Sequence, residues 1–187
     1  MKPSLEPAYF DALYAADPDP WRFATSAYER EKYGATLAAL PARIGSAFEV
    51  GCSIGVLTRR LAERCERLLA IDVSEAALAE ARRRCAGRAN VTMTRMQIPR
   101  EWPIERFDVI LFSEVLYYLS SDDRACAAAQ ARSSMVPGGH ALLVHYTPPT
   151  DYPASGDVAS DSFIRMSGLT PILQRRTAQY RLDLLRA

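Results

Sequence analysis

The stretch Ala47–Phe48–Glu49–Val50–Gly51–Cys52–Ser53–Ile54–Gly55 constrains this chain more than any other. An apolar run leads into two glycines four apart, and a helix-like segment, Val56 to Arg64, follows directly. That is the strand, tight glycine turn, helix order of the first β-α unit in a nucleotide-binding α/β domain. Gly51 and Gly55 would let the backbone approach a ligand with no Cβ in the way. The N–H groups of the next helix's first turn are expected to face that ligand.

The rest of the chain alternates in the same sense. Strands are expected at about 46–50, 67–71, 90–94, 107–112 and 140–144. Helices are expected at 56–64, from a Ser74 cap to Cys85, and from Asp122 or Asp123 to Met135. Pro137–Gly138–Gly139 reads as a turn, and residues 146–157 as a loop before a short helix at 158–166. Two β-like runs, 171–177 and 179–185, close the sequence with almost nothing between them, so they must be antiparallel. Ahead of the core, Tyr9, Phe10, Leu13 and Tyr14 recur at helical spacing, and Asp17–Pro18–Asp19–Pro20 breaks the run. Thr25 or Ser26 then caps a second helix that Pro41 ends. The expected fold is α/β: a Rossmann-like, doubly wound, seven-stranded sheet, mostly parallel with an antiparallel C-terminal strand, plus N-terminal lid helices. A length of 187 residues suits a single domain, 1–187, with the lid in 1–45 and the core in 46–187.

Composition narrows the function. A net charge of +1 leaves no electrostatic footprint for nucleic acid, and Arg59–Arg60, Arg82–Arg83–Arg84 and Arg175–Arg176 read as solvated faces. The four cysteines are scattered with no CxxC pair, and the two histidines form no HxxxH pattern, so no metal site is expected. Met1–Lys2–Pro3–Ser4 is not followed by an apolar signal segment, and no apolar run approaches ~18 residues. A cytoplasmic protein with no membrane contact and no obligate protein partner is the expectation.

Three ligands compete for the glycine turn. A dinucleotide wants G-x-G-x-x-G, and Ser53 stands where the second glycine should let the pyrophosphate approach. Gly51–Cys52–Ser53–Ile54–Gly55 is also a G-x-S-x-G string, the nucleophile elbow of a serine hydrolase, with an Asp and His145 following in the right order. Such an elbow follows several strands, whereas this one ends the first, and no His-Gly-Gly oxyanion segment precedes it. The third ligand is S-adenosylmethionine (SAM). It has no pyrophosphate, so fewer glycines suffice. Asp72, at the tip of the second strand, can accept bonds from both ribose hydroxyls.

Glu49–Val50–Gly51–Cys52–Ser53–Ile54–Gly55, Ile71–Asp72–Val73–Ser74, Phe107–Asp108–Val109–Ile110 and Pro137–Gly138–Gly139, in that order, resemble the motif set of class I SAM-dependent methyltransferases. More narrowly, three further stretches, with the glycine turn, resemble the NodS family over about residues 5–145. They are Asp17–Pro18–Asp19–Pro20–Trp21–Arg22–Phe23, Tyr28–Glu29–Arg30–Glu31–Lys32–Tyr33 and Ser113–Glu114–Val115–Leu116–Tyr117–Tyr118. Those are N-methyltransferases of rhizobial nodulation, acting on the free amine of a deacetylated chitooligosaccharide. The resemblance implies SAM as cofactor, S-adenosylhomocysteine (SAH) as product, and a small-molecule amine, such as an amino sugar, as acceptor. Another acceptor such as RNA or a natural product, or a non-catalytic SAM-binding module, stays open.

Under that reading the turn supplies Glu49, Gly51, Cys52, Ser53 and Gly55 to the cofactor, and the second strand's tip supplies Asp72 and Val73. Gln97 and Ile98 follow the third strand, with the Gln97 amide available to adenine, and Ser113 ends the fourth. Trp21, Tyr28 and Lys32 form a lid, with Lys32 toward the methionine carboxylate. Methyl transfer is an in-line displacement by a neutral amine, so a base is wanted near the acceptor. Glu114, just past the fourth strand, is the candidate, and His145 the alternative. Tyr33, Tyr117 and Tyr118, with Glu114, are candidates for the acceptor wall.

Overall fold

The apolar run before the glycines forms β1 (Ile44–Val50), starting two residues earlier than expected because Ile44 is also buried. The structure, a computed structural model, describes residues 2–187. Its residues group into two units, Glu6–Met96 and Gln97–Ala187, the latter including the N-terminal residues up to Leu5.

The first unit holds α1 (Pro7–Ala16), α2 (Ala27–Ala39), β1, α3 (Val56–Leu61), β2 (Cys65–Asp72), α4 (Glu75–Arg84) and β3 (Val91–Arg95). β1, β2 and β3 pair in parallel, with Val50 opposite Ile71 and Asp72 opposite Arg95. Side chains start the helices where short polar residues allow. Ser26 Oγ accepts from the Glu29 N–H, three residues on, and so caps α2. Ser74 caps α4 in the same way, with Glu75 in its first turn and Arg82, Arg83 and Arg84 in its last, each charge matched to the helix dipole. The sequence predicts a longer helix after the glycines, but α3 stops at Leu61 and the chain turns back through Arg64, whose carbonyl accepts from the Ile44 N–H.

The second unit holds β4 (Phe107–Ser113), a short 3-10 turn (Leu116–Tyr118), α5 (Ser121–Ser133), β5 (Met135–Tyr146), α6 (Gly156–Ser167), β6 (Thr170–Arg176) and β7 (Tyr180–Arg186). The cap of α5 is Ser120, whose hydroxyl accepts from Asp123, and not Asp122 or Asp123 as expected; both acids sit inside the first turn. β5 runs straight through Pro137–Gly138–Gly139. The pairing steps from Phe107↔Met135 to Val109↔His140, so the glycines form a bulge in a strand where the sequence predicts a turn. A Cβ on Gly139 would lie 3.0 Å from the Val136 carbonyl oxygen.

The strand order is β3-β2-β1-β4-β5-β7-β6. β7 is antiparallel to both neighbours, β5 and β6. The chain places β6 first and then folds β7 back between it and β5. This is the expected seven-stranded, Rossmann-like sheet with its antiparallel C-terminal strand. β6 is exposed along nearly its whole length and carries Arg175 and Arg176, charges that discourage edge-to-edge pairing.

Gly55 owes its identity to packing. It takes φ +77°, and a Cβ there would stand 2.9 Å from the Ala81 Cα of α4. Gly55→Ala should therefore lower stability by about 2–4 kcal/mol, combining left-handed backbone strain with a clash against a helix backbone. Urea unfolding measures it, and a loss under about 0.5 kcal/mol would contradict the packing account.

Candidate functional site

In the first unit the site begins where β1 and β2 end. Gly51 takes φ +76° and Ser53 takes φ +49°, so the chain doubles back on itself between them. The Gly51 and Cys52 N–H groups both donate to the Ile71 carbonyl at 2.8 Å, and the Gly55 N–H donates to the Cys52 carbonyl at 2.9 Å. The Ser53 N–H donates to Asp72 Oδ2 at 2.8 Å. A loop that spends these donors on its own backbone and on a carboxylate is a poor phosphate cradle. That counts against the dinucleotide alternative more directly than the missing glycine does.

Asp72 is the pivot. Oδ2 takes the Ser53 N–H and Oδ1 takes the Ser74 N–H at 3.0 Å, leaving each oxygen a further lone-pair site. Burial raises its pKa above the ordinary carboxylate value, and the N–H donors of Ser74, Ser53 and Val73 pull the other way. Val73 follows, its carbonyl held by Arg95 Nε at 2.8 Å. Cys52 is buried and its thiol is pushed well up, first by burial and then by Asp72. It is therefore a protonated packing residue.

Glu49 lies beneath this loop, buried at the end of β1. Burial, with a smaller push from Asp72, raises its carboxyl to about 7. The Thr58 hydroxyl partly offsets this from nearby, although it stands outside hydrogen-bonding geometry and Oε2 has no hydrogen-bond partner.

The lead-in helices belong to the same unit. Tyr14 of α1 reaches the loop, where its hydroxyl and Ser53 Oγ share a short hydrogen bond. Its ring meets Trp21 edge-on at 5.7 Å, and Trp21 stacks on Phe23 at 5.5 Å, the group packing with Ile54 and Ala77. Trp21 is thus beside the glycine loop. Lys32 is 2% exposed and pairs with Glu29 at 2.9 Å, its ammonium 5.0 Å from the Tyr28 ring centroid. Tyr33 is buried on the same helix. Tyr14 is one residue that sequence reading missed. Helical spacing placed it on α1, but nothing local to it named Ser53 as its partner.

In the second unit Glu114 stands just past β4 with φ +60°, a strained conformation for a residue with a side chain. Its N–H donates to the Val144 carbonyl at 2.8 Å. Oε2 accepts from the Tyr117 hydroxyl at 2.7 Å and from the Tyr146 N–H at 2.8 Å. Ser113 precedes it, opposite Val144 in the ladder. Tyr117 and Tyr118 are buried and meet edge-on, with centroids 4.5 Å apart. Tyr152 stacks on Tyr117 at 5.2 Å and meets Tyr118 at 4.7 Å. Sequence reading missed Tyr152 because it lies in a proline-rich loop with no period to follow.

His145 is fully buried. Its Nε2 accepts from the Leu116 N–H at 3.2 Å, which puts the ring proton on Nδ1, facing Ser160 Oγ at 3.3 Å. The imidazole thereby holds the start of the turn that carries Tyr117. The imidazole thus bonds the Leu116 N–H and faces Ser160, while Ser53 Oγ is bonded to Tyr14. Gln97 donates its backbone N–H to Glu101 Oε2 at 2.7 Å, and its side-chain oxygen accepts from Arg100 at 3.4 Å. Ile98 beside it is buried. Among the described residues no cluster of three or more His, Cys, Asp or Glu side chains could hold a metal ion, and no helix is long and apolar enough to cross a membrane.

The profile of the nodulation protein S (NodS) family matches residues 12–146. The chain belongs to the NodS family. Nodulation protein S of Bradyrhizobium diazoefficiens is 38% identical over 128 residues, which is 67% of this chain and 61% of that relative. The chain thus spans about six-tenths of that curated relative's length. The crystal structure of N-methyltransferase NodS from Bradyrhizobium japonicum, in complex with SAH, superposes with a TM-score of 0.82 at 26% identity, covering 96% of each chain. A structure from Pseudomonas syringae superposes at 0.78 with 31% identity over 87% of this chain and 100% of that one. The NodS match ends at Tyr146, so Tyr152 lies outside it.

The Glu49 carboxyl yields a pH prediction. Its folded value lies above its reference of 4.5, so the native state holds the proton more tightly than the unfolded state. Its contribution is full below about 4.5 and is lost as pH rises toward about 7. Urea melts across that window should show stability falling with pH, and Glu49→Gln should flatten the fall by on the order of 3 kcal/mol. An identical slope in the variant would show that Glu49 does not titrate there.

Proposed function

We propose that this NodS-family chain is a SAM-dependent N-methyltransferase whose acceptor is the amine of a small molecule, an amino sugar being the favoured class. The observation that carries this reading is Asp72, a carboxylate held at the tip of β2 by the Ser53 and Ser74 N–H groups. It keeps lone pairs for a diol, beside a loop whose Gly51, Cys52, Ser53 and Gly55 N–H groups are already bonded. A ribose without a pyrophosphate matches that chemistry, and the SAH-bound NodS relative supports it.

Bound SAM supplies a methyl group already activated by its sulfonium charge. The protein's residues must then bind, align and deprotonate. In this proposal Asp72 holds the ribose, with Gly51, Cys52, Ser53, Gly55 and Val73 shaping the loop beside it. Glu49 supports that loop from below. Trp21, Tyr28 and Lys32 cover the cofactor from the lead-in. Glu114 receives the acceptor nitrogen and takes the proton that an ammonium must shed before it can attack. The Tyr117 hydroxyl and the Tyr146 N–H hold that carboxylate still. In the second unit Tyr117 and Tyr118 are the aromatic side chains beside Glu114 for a sugar or a cation. His145 acts by holding the Leu116 end of the turn and is the alternative base if Glu114 is not. The three buried, reduced cysteines Cys52, Cys65 and Cys85 support a cytoplasmic enzyme.

Calorimetry should show both SAM and SAH binding, weakened at least about tenfold by Asp72→Ala, which removes a charge-assisted acceptor. Labelled-methyl transfer to glucosamine-type oligosaccharides should exceed transfer to their N-acetylated forms. Glu114→Gln should lower kcat by roughly 10²–10⁴ with SAH affinity unchanged. Absence of SAM binding would end the proposal, whereas failure on both sugar forms would remove only the amino-sugar acceptor.

A further inference from the structure

We infer that Tyr14 is a positioning residue of the cofactor loop, holding the Ser53 hydroxyl so that its proton is presented to an oxygen of bound SAM or SAH. The inference rests on the proposal that this loop holds SAM, and it adds a residue and a direction of hydrogen bonding to it.

Tyr14 is 6% exposed, packed against Trp21, Ile54 and Ala77, and its hydroxyl is bonded to Ser53 Oγ. Either oxygen could be the donor in that bond. Burial, and secondarily the Asp72 charge, hold the phenol far above its usual range, so Tyr14 always carries its proton. That proton needs an acceptor, because an unpaired donor in the interior costs more than the bond returns. Ser53 Oγ is the acceptor in reach, so Tyr14 donates.

The Ser53 groups can then be assigned in turn. Its N–H is committed to Asp72 Oδ2. Its Oγ accepts from Tyr14. What remains is its own O–H, on a half-buried residue at the apex of the loop with φ +49°. A hydroxyl that accepts one hydrogen bond is polarised to donate a stronger one. The relay runs from Tyr14 to Ser53 to a cofactor oxygen, while the Ser53 backbone holds the carboxylate next to it. α1, outside the α/β sheet, thereby joins the support of the site.

The test is a double-mutant cycle on the full chain, with SAH affinity read by calorimetry and folding checked by thermal melts. Tyr14→Phe keeps the ring packing and removes the hydroxyl; Ser53→Ala removes the donor. Each should weaken SAH binding about three- to tenfold, the cost of one hydrogen bond. The double variant should bind like Ser53→Ala alone, because both act through one donor. A purely structural tyrosine would lower the melting temperature and leave the affinity of the folded protein unchanged. Wild-type affinity in Tyr14→Phe, or effects that multiply in the double variant, would overturn the inference. If Tyr14→Phe does not fold, Ser53→Ala decides, since unchanged SAH binding there leaves Tyr14 nothing to position. Failure of the wild-type protein to bind SAM or SAH would instead overturn the SAM proposal beneath it.

Discussion

The carboxylate of Asp72 and the Ser53 N–H form the bond on which the first unit's site depends. It ties the end of β2 to the loop that leaves β1, and it does so at a residue with φ +49°. The Ile71 carbonyl reinforces the tie by accepting from two successive N–H groups, Gly51 and Cys52. Parallel pairing with Val50 opposite Ile71 sets the height at which both strands end. The loop is therefore a rigid corner, its donors turned inward, with a carboxylate as its polar feature.

That corner explains why the two glycines differ. Gly51 needs a positive φ to fold the loop back onto Ile71. Gly55 needs one as well, and its missing Cβ also makes room for Ala81 of α4. A spacing that reads as a ligand cradle is in part a helix-packing device. Burial acts alike on Cys52, Glu49 and Tyr14, polar groups that hold their protons more tightly because charge has no water there.

The second unit builds its polar centre by the opposite route. Glu114, strained at φ +60°, is held by two donors from different segments, Tyr117 three residues on and the Tyr146 backbone at the end of β5. His145, one residue before Tyr146, fixes Leu116 from below. The turn, the strand end and α6 through Ser160 thus share one small network, and no single segment of sequence contains it.

Legible in the sequence were the alternation of strands and helices, the Ser74 cap, a cap at Thr25 or Ser26, and the pairing of a glycine turn with an acid one β-α unit on. Each depends on local periodicity or on side chains bonding their own backbone. It also carried the NodS resemblance, because those motifs are short and contiguous. Tertiary structure decided what spacing cannot encode. It carried β5 through Pro137–Gly138–Gly139 as a bulge, with Gly139 backed so closely by the Val136, Phe107 and Asp108 carbonyls that a Cβ would crowd them. It brought Tyr14 to Ser53 across 39 positions and Tyr152 to Tyr117 from a loop without periodicity. It placed His145 against Leu116, a partner 29 positions away that no local spacing names. Hydrogen bonds between distant segments form only when packing has removed water from both partners, so their pattern belongs to the folded chain.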